Sequence, residues 1–320
     1  MKKTIFTVYA LLISMIVITG CASSHDGLFK QKVVQSPNDS NHTVILVSTK
    51  SPAKNATPAS IQGKSNLTSA HRLIPDTATK KSSADSSWYK PKPGISWFWQ
   101  LQGTIDTSYD VDVYDIDLVE APQAVIDELH RRNIKVICYF SAGTWEAYRD
   151  DAPDFPSEVM GKAVEGYPDE RYLNVAQYQK FANIMQQRLD LAVQKKCDGV
   201  EPDNMDGYAT DNGFDISYEN QVTYSLWIAE QAHTRNLSVA LKNGLDQIKD
   251  VLDYFDFAIN EQCFQYHECD KLLPFITQGK AVLGVEYELE TDAFCAQANR
   301  LNFSWLKMDY ALDGRRISCR

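Results

Sequence analysis

Histidine is scarce in this chain. Only six occur in 320 residues, and three of them (His25, His42 and His71) lie in a polar N-terminal stretch. Mechanisms built on histidine bases or histidine-held metals are short of material. His267-Glu268-Cys269 has no second histidine at helical spacing, so the zinc-protease pattern is absent. His130 and His233 fall near the ends of expected helices, where a solvated or capping role is the plain expectation. No G-x-S-x-G elbow offers a nucleophilic serine, and no G-x-G-x-x-G offers a dinucleotide site. Asp203-Asn204-Met205-Asp206-Gly207 loosely resembles a calcium loop but lacks the glutamate such a loop needs at its end. No metal and no cofactor are therefore expected. Basic excess is missing too: the formal net charge is −10, which argues against a nucleic-acid partner. Beyond residue 20 no stretch is apolar enough to cross a bilayer.

What is present begins with an address. Met1-Lys2-Lys3 supplies a positive start, an apolar run covers residues 4–20, and Cys21 follows at once. This pattern predicts a signal peptide over 1–20. The ending Ile18-Thr19-Gly20-Cys21 is similar to a bacterial lipobox, with Cys21 as the lipidated residue. An ordinary signal peptide or an anchor helix is the alternative. Export and lipid anchoring to a bacterial membrane follow, the outer one if the cell is Gram-negative. Residues 22–87 are rich in Ser, Thr, Asn, Lys and Ala and contain no glutamate. Such a segment cannot bury enough apolar surface to order itself, so 21–87 is expected to be a disordered tether. The patch Thr43–Val47 could form a short strand, but with nothing nearby to pair with it.

Charge divides sharply along the chain. The leader carries two basic residues, and the tether carries eight basic and four acidic ones. That leaves 22 basic against 38 acidic in 88–320, a net of −16. An acidic surface commonly serves solubility, and a negative cleft would attract a cationic substrate.

From Trp88 onward short apolar runs alternate with helical patterns, the signature of βα units around a parallel sheet. Eight strands are predicted: 96–101, 111–118, 136–141, 199–203, 238–242, 257–260, 281–285 and 304–308. Helices are predicted over 123–132, 175–196, 218–235, 245–254, 271–278 and 291–299. Eight strands in 233 residues suit a (β/α)8 TIM barrel. Residues 102–110 are too few for a crossover helix, so the first unit is degenerate. A doubly wound sheet is the competing architecture.

In such barrels the active site gathers at the C-terminal ends of the strands. Those ends here carry Asp115 and Asp117, then Tyr139, then Glu201, Asp203 and Asn204, then Lys242 and Asn243, then Glu261, then Glu286 and Tyr287. Two carboxyl groups facing each other across a site can cleave a glycosidic bond, one as nucleophile and one as acid/base. Asp203 and Glu261 are the candidates, with helix capping or pairing to Lys242 as the structural alternative. Period-two alternation puts Glu201 on the face of Asp203 but deeper, where a buried network with Lys242 is expected. Trp145 and Tyr208 lie in loops past strand ends and could stack on sugar rings.

Beyond Cys21 there are six cysteines. An even number in an exported protein suggests disulfides. Cys263–Cys269 would brace the loop beside Glu261, and Cys138–Cys197 with Cys295–Cys319 would complete a set. Fifteen pairings are possible, and buried free thiols are the alternative.

Seven segments in order resemble glycoside hydrolase family 114, the endo-α-1,4-polygalactosaminidases. They are WFWQLQGTIDTS (97–108), VYDIDL (113–118), KVICYFSAGTWE (135–146), FPSEVMGKAVEGYPDERYLNV (155–175), CDGVEPDNMDGY (197–208), LSVALKN (237–243) and FDFAINEQCFQYHEC (255–269). The resemblance implies a TIM barrel that cleaves within galactosamine-rich polymers, with Asp203 as nucleophile and Glu261 as acid/base. Asp115, Asp117, Glu146 and Asp206 would line an acidic cleft for the ammonium groups of deacetylated sugar. Asn174 stands where relatives often show Asp, which removes one charge. The expected partners are a galactosamine-containing polysaccharide and, through the lipid alone, a membrane; the protein itself is expected to be a monomer. A non-catalytic polysaccharide-binding lipoprotein and a hydrolase of another α-galactoside or cell-wall glycan remain as alternatives.

Overall fold

The structure, a computed structural model, describes residues 88–320 and two short strands, β1 (Val33–Val34) and β2 (Val44–Ile45). β1 pairs antiparallel with β2, Val33 opposite Ile45. The Thr43–Val47 patch thus has a partner strand, contrary to the expectation from sequence. The expected signal peptide, Cys21 and the expected disorder of the tether fall on residues outside those described.

Within 88–320, eight parallel strands lie side by side in chain order. They are β3 (Trp97–Gln100), β4 (Val113–Asp117), β5 (Lys135–Ser141), β9 (Gly199–Asp203), β10 (Ser238–Lys242), β11 (Phe257–Glu261), β12 (Val282–Glu286) and β13 (Ser304–Met308). The sheet curls as in a TIM barrel. Its first and last parallel strands are joined across a seam rather than by a ladder. There the Trp97 indole donates to Ser304 O (3.0 Å), and Leu101 N and Gln102 N donate to Leu312 O (2.9 and 3.2 Å). A short strand, β14 (Arg316–Ser318), returns antiparallel on β13.

Alternation along each strand sorts the core into two layers. Trp97, Trp99, Val113, Ile137, Ala240, Phe257, Ile259, Leu283, Val285 and Leu306 fill the barrel interior. Phe98, Tyr114, Ile116, Val136, Cys138, Val200, Val239, Leu241, Ala258 and Trp305 face the helices. Followed toward the C-terminal ends, the interior positions turn from apolar to charged: Val113 leads to Asp115, Ala240 to Lys242, Ile259 to Glu261. The barrel is greasy below and ionic at its mouth.

The predicted degenerate first unit is present: no helix joins β3 to β4. The Gln100 amide organises that loop instead, donating to Gln102 O and Thr104 O and accepting from Asp106 N, each at 2.9 Å. The remaining connections carry α1 (Gln123–Arg131), α2 (Ala182–Gln194), α3 (Tyr218–Thr234), α4 (Ile248–Val251), α5 (Leu273–Thr277) and α6 (Thr291–Arg300). The helix predicted over 175–196 is broken: residues 175–180 form a 3-10 turn that leaves helical geometry at Gln177 before α2 starts. A three-stranded antiparallel sheet of β6 (Thr144–Glu146), β8 (Tyr167–Leu173) and β7 (Met160–Val164) rises between β5 and α2. Strands β7 and β8 are largely solvated and the short β6 buries polar Thr144 and Glu146, so the sheet carries no alternating apolar signal and the sequence does not foretell it.

All three expected disulfides are formed: Cys138–Cys197, Cys263–Cys269 and Cys295–Cys319. Cys138–Cys197 links β5 to the turn before β9 across 59 residues. Closing a loop of that size stabilises by about 4 kcal/mol in the chain-entropy picture. Cys138→Ser/Cys197→Ser should therefore melt well below the parent in a thermal scan. Coincident melting curves would count against that contribution.

Candidate active site

Asp203, Lys242 and Glu261 end β9, β10 and β11. Each is followed by a residue with left-handed backbone: Asn204 (φ 62°), Asn243 (φ 48°) and Gln262 (φ 64°). The chain therefore turns away at once, leaving the three side chains at the rim. The turn after Asp203 packs hard on Gly143, where a Cβ would come within 1.6 Å of Asn204 O. Ala142 N and Gly143 N both donate to Asp203 O (2.9 and 3.0 Å), fixing that strand end.

Lys242 is the hub. Its Nζ lies 3.1 Å from Glu201 Oε1, 3.1 Å from Asp203 Oδ1 and 3.5 Å from Glu261 Oε2, and 4.9 Å from the centre of the Trp99 ring. The legs to Asp203 and Glu261 hold those two carboxyl oxygens within about 6.6 Å of one another, their sum. The other oxygen of Asp203 accepts from the Tyr139 hydroxyl (3.1 Å) and Asn204 Nδ2 (3.5 Å). Glu261 accepts from the Tyr287 hydroxyl on Oε1 (2.5 Å) and from Asn243 Nδ2 on Oε2 (2.9 Å). Burial, then the charge of Asp203, holds the Tyr139 hydroxyl in its protonated form.

Beneath this rim Asp115 and Glu201 are fully buried. Burial and the neighbouring Glu201 charge push Asp115 well above the carboxylate range, and burial pushes Glu201 up as well. The floor of the site is thus a buried carboxyl pair whose burial favours the protonated form of Asp115. Beside it, burial and the charge of Asp203 raise Asp206 to about 6. Tyr208 sits half-buried next to Asp206, edge-on to Tyr218 (5.6 Å).

Four expected site residues serve elsewhere. Asp117 and Glu146 do not line an acidic cleft, because Arg149 neutralises both. It binds Asp117 through two nitrogens (3.0 and 2.7 Å) and Glu146 through two more contacts (3.1 and 3.0 Å), all buried. Arg188 stands 3.7 Å from Glu146 on the other side. The Trp145 indole donates to Ala152 O (3.0 Å) and packs against the core. Glu286 points outward from β12, accepts from Phe264 N (2.9 Å) and is raised to about 7 by burial. Asn174, the departure from the family pattern, is buried and pairs through its backbone with Val159 O.

Tyr287, expected among the residues at the seventh strand end, reaches the mouth, and two further side chains there, Glu170 and Tyr167, carry no signal in the sequence. Tyr287 takes the inward position that Glu286 was assigned, and alternation from Val285 would have shown it. Glu170 and Tyr167 come from β8. Glu170 accepts from Thr144 Oγ1 (3.1 Å), and Thr144 continues through Asn204 Nδ2 (3.3 Å) to Asp203. Burial, then the charge of Glu146, raises Glu170 to about 7. Tyr167 is exposed at the rim, within electrostatic range of Glu261, Glu170 and Asp203. Among the described residues there is no cluster of His, Cys, Asp and Glu able to hold a metal ion, and no helix long and apolar enough to cross a membrane.

The chain is 37% identical to Ega3 of Aspergillus fumigatus, solved in complex with galactosamine, with a TM-score of 0.69 over 72% of this chain and 97% of that one. The glycoside hydrolase domain of PelA from Pseudomonas aeruginosa shares the fold at 12% identity, with a TM-score of 0.58 over 70% of this chain and 98% of that domain. No curated protein matches the chain. The profile of glycoside-hydrolase family GH114 matches residues 77–320, which takes in the whole barrel and both carboxyl-bearing strand ends, and the chain belongs to that family.

Proposed function

We propose that this glycoside hydrolase cleaves internal α-1,4 linkages of a galactosamine-rich, cationic polysaccharide. Asp203 attacks the anomeric carbon while Glu261 protonates the leaving oxygen. The arrangement of Asp203 and Glu261 around Lys242 carries this reading. One oxygen of each carboxyl group lies within about 6.6 Å of the other through Lys242, a bound that admits the retaining spacing of about 5–5.5 Å. Retention through a glycosyl-enzyme intermediate belongs to this reading. Support for the substrate comes from the similarity to a protein solved with galactosamine and from the net −16 of the barrel portion. Anchoring through a lipid on Cys21 belongs to the same reading and rests on the lipobox-like start. Palmitate labelling that survives Cys21→Ser would sink that part.

The deciding experiment incubates the purified protein with α-1,4-galactosamine oligomers and reads products by mass spectrometry and anomeric NMR. Shorter oligomers with an α-configured new end are expected. Binding without cleavage would favour a non-catalytic carbohydrate receptor instead.

Glu170 adds a pH dependence. The one cationic charge acting on it, Arg149, is already bound by Asp117 and Glu146, so substrate ammonium is its natural counter-charge. Raised to about 7, it loses charge as pH falls through neutrality. KM for a cationic oligomer should rise several-fold from about pH 7.5 to 6, and Glu170→Gln should flatten that rise. A KM profile identical in parent and variant would remove Glu170 from substrate binding.

A further inference from the structure

Resting on the proposed hydrolysis, we infer that the catalytic proton of Glu261 sits on Oε1, and that Tyr287 is the positioning residue that permits it by reversing its hydroxyl between donor and acceptor. Hydrogen-bond directions around the two oxygens decide where that proton sits. Oε2 faces Asn243 Nδ2 at 2.9 Å and Lys242 Nζ at 3.5 Å. The Asn243 amide cannot flip, because its Oδ1 already accepts from Glu261 N (2.9 Å) and Asn260 Nδ2 (3.3 Å). An ammonium only donates. Both neighbours of Oε2 are thus donors, and a proton there would face a hydrogen on each side.

Oε1 differs. Its protein neighbour is the Tyr287 hydroxyl at 2.5 Å, a group that donates or accepts by turning about its C–O bond. Tyr287 is otherwise immobile. Its ring is buried and stacked on Tyr310 (4.3 Å, 24°), and Lys307 Nζ donates to its carbonyl (2.8 Å). Only the hydroxyl hydrogen is free to move.

The proton and electron bookkeeping follows. In the first half-reaction an Asp203 oxygen forms a bond to the anomeric carbon and the bond to the leaving oxygen breaks. The Glu261 Oε1–H proton passes to that oxygen, and the Tyr287 hydrogen turns in to bond the new carboxylate. In the second half-reaction water attacks the anomeric carbon, its proton goes to Oε1, the Asp203 ester bond breaks, and the Tyr287 hydrogen turns away. Other ionisable groups that face Glu261 are Lys242 on β10, Glu201 and Asp203 on β9, Asp206 beyond it, and Tyr167 on β8.

The test is Tyr287→Phe, which keeps the ring and deletes the hydroxyl. Removing a donor from a carboxylate favours its protonated form. The alkaline limb of kcat/KM against pH, read on α-1,4-galactosamine oligomers, should therefore move to higher pH. At the optimum kcat should fall about tenfold, with KM unchanged and Tm within a few degrees. An activated aryl glycoside, which needs little acid help to leave, should lose far less in the first half-reaction. If the parent cleaves and the variant's pH profile superimposes on it, the inference is overturned. If the parent itself does not cleave, the proposed function fails instead, before the variant is considered.

Discussion

Asp203→Asn and Glu261→Gln should each lower kcat on galactosamine oligomers by on the order of 10³- to 10⁴-fold while leaving the fold unchanged. The two losses should differ in character. Asn at 203 removes the nucleophile, so no leaving group rescues it. Gln at 261 removes only the proton donor, so an activated aryl glycoside should recover much of the first half-reaction. Neither change should unfold the protein, because Lys242 retains two carboxylate partners in each case. Rates on both substrates, with circular dichroism as a control, decide the matter. A tenth or more of parental activity in Asp203→Asn would remove it from the nucleophile's role.

The second large effect is on stability. Arg149→Met should lower Tm by roughly 10 °C, from a cost of about 3–5 kcal/mol in a domain of this size. The cause is the pair it serves: Asp117 and Glu146 are buried, and Arg149 contacts both. Met fills the volume but strands two carboxylates away from water. Adding Asp117→Asn to that variant should restore part of the loss by deleting one of the stranded charges. A single variant that melts with the parent would show that Arg188 alone supplies the counter-charge to Glu146 and that Asp117 needs none.

Much of this was legible in the sequence. Apolar runs of strand length placed all eight parallel strands, and the short 102–110 segment announced the missing helix. The carboxyl pair was legible because Asp203 and Glu261 stand at the ends of such runs. Period-two alternation is a further signal: on β9 it puts Glu201 beneath Asp203. Applied to β12 it separates Glu286, which points toward Phe264, from Tyr287, which reaches Glu261. Arg149 was invisible for a different reason: it lies on a loop, and what pairs a loop cation with Asp117 is tertiary geometry that no local pattern encodes. Glu170 was hidden likewise, because the β6–β8 sheet leaves no periodic trace in its solvated strands.

One ammonium serves Glu201, Asp203 and Glu261 and also acts on Asp206, and Glu170 feels only the Arg149 charge that Asp117 and Glu146 already bind. The mouth is thus short of positive charge, and in solution mobile counter-ions make up the deficit. It works as a small ion exchanger. A polymer of amino sugars entering it displaces those ions and gains the entropy of their release, so tight binding at low ionic strength should weaken steadily as salt is added. A neutral sugar chain of the same shape has no ions to displace and should show almost no such slope.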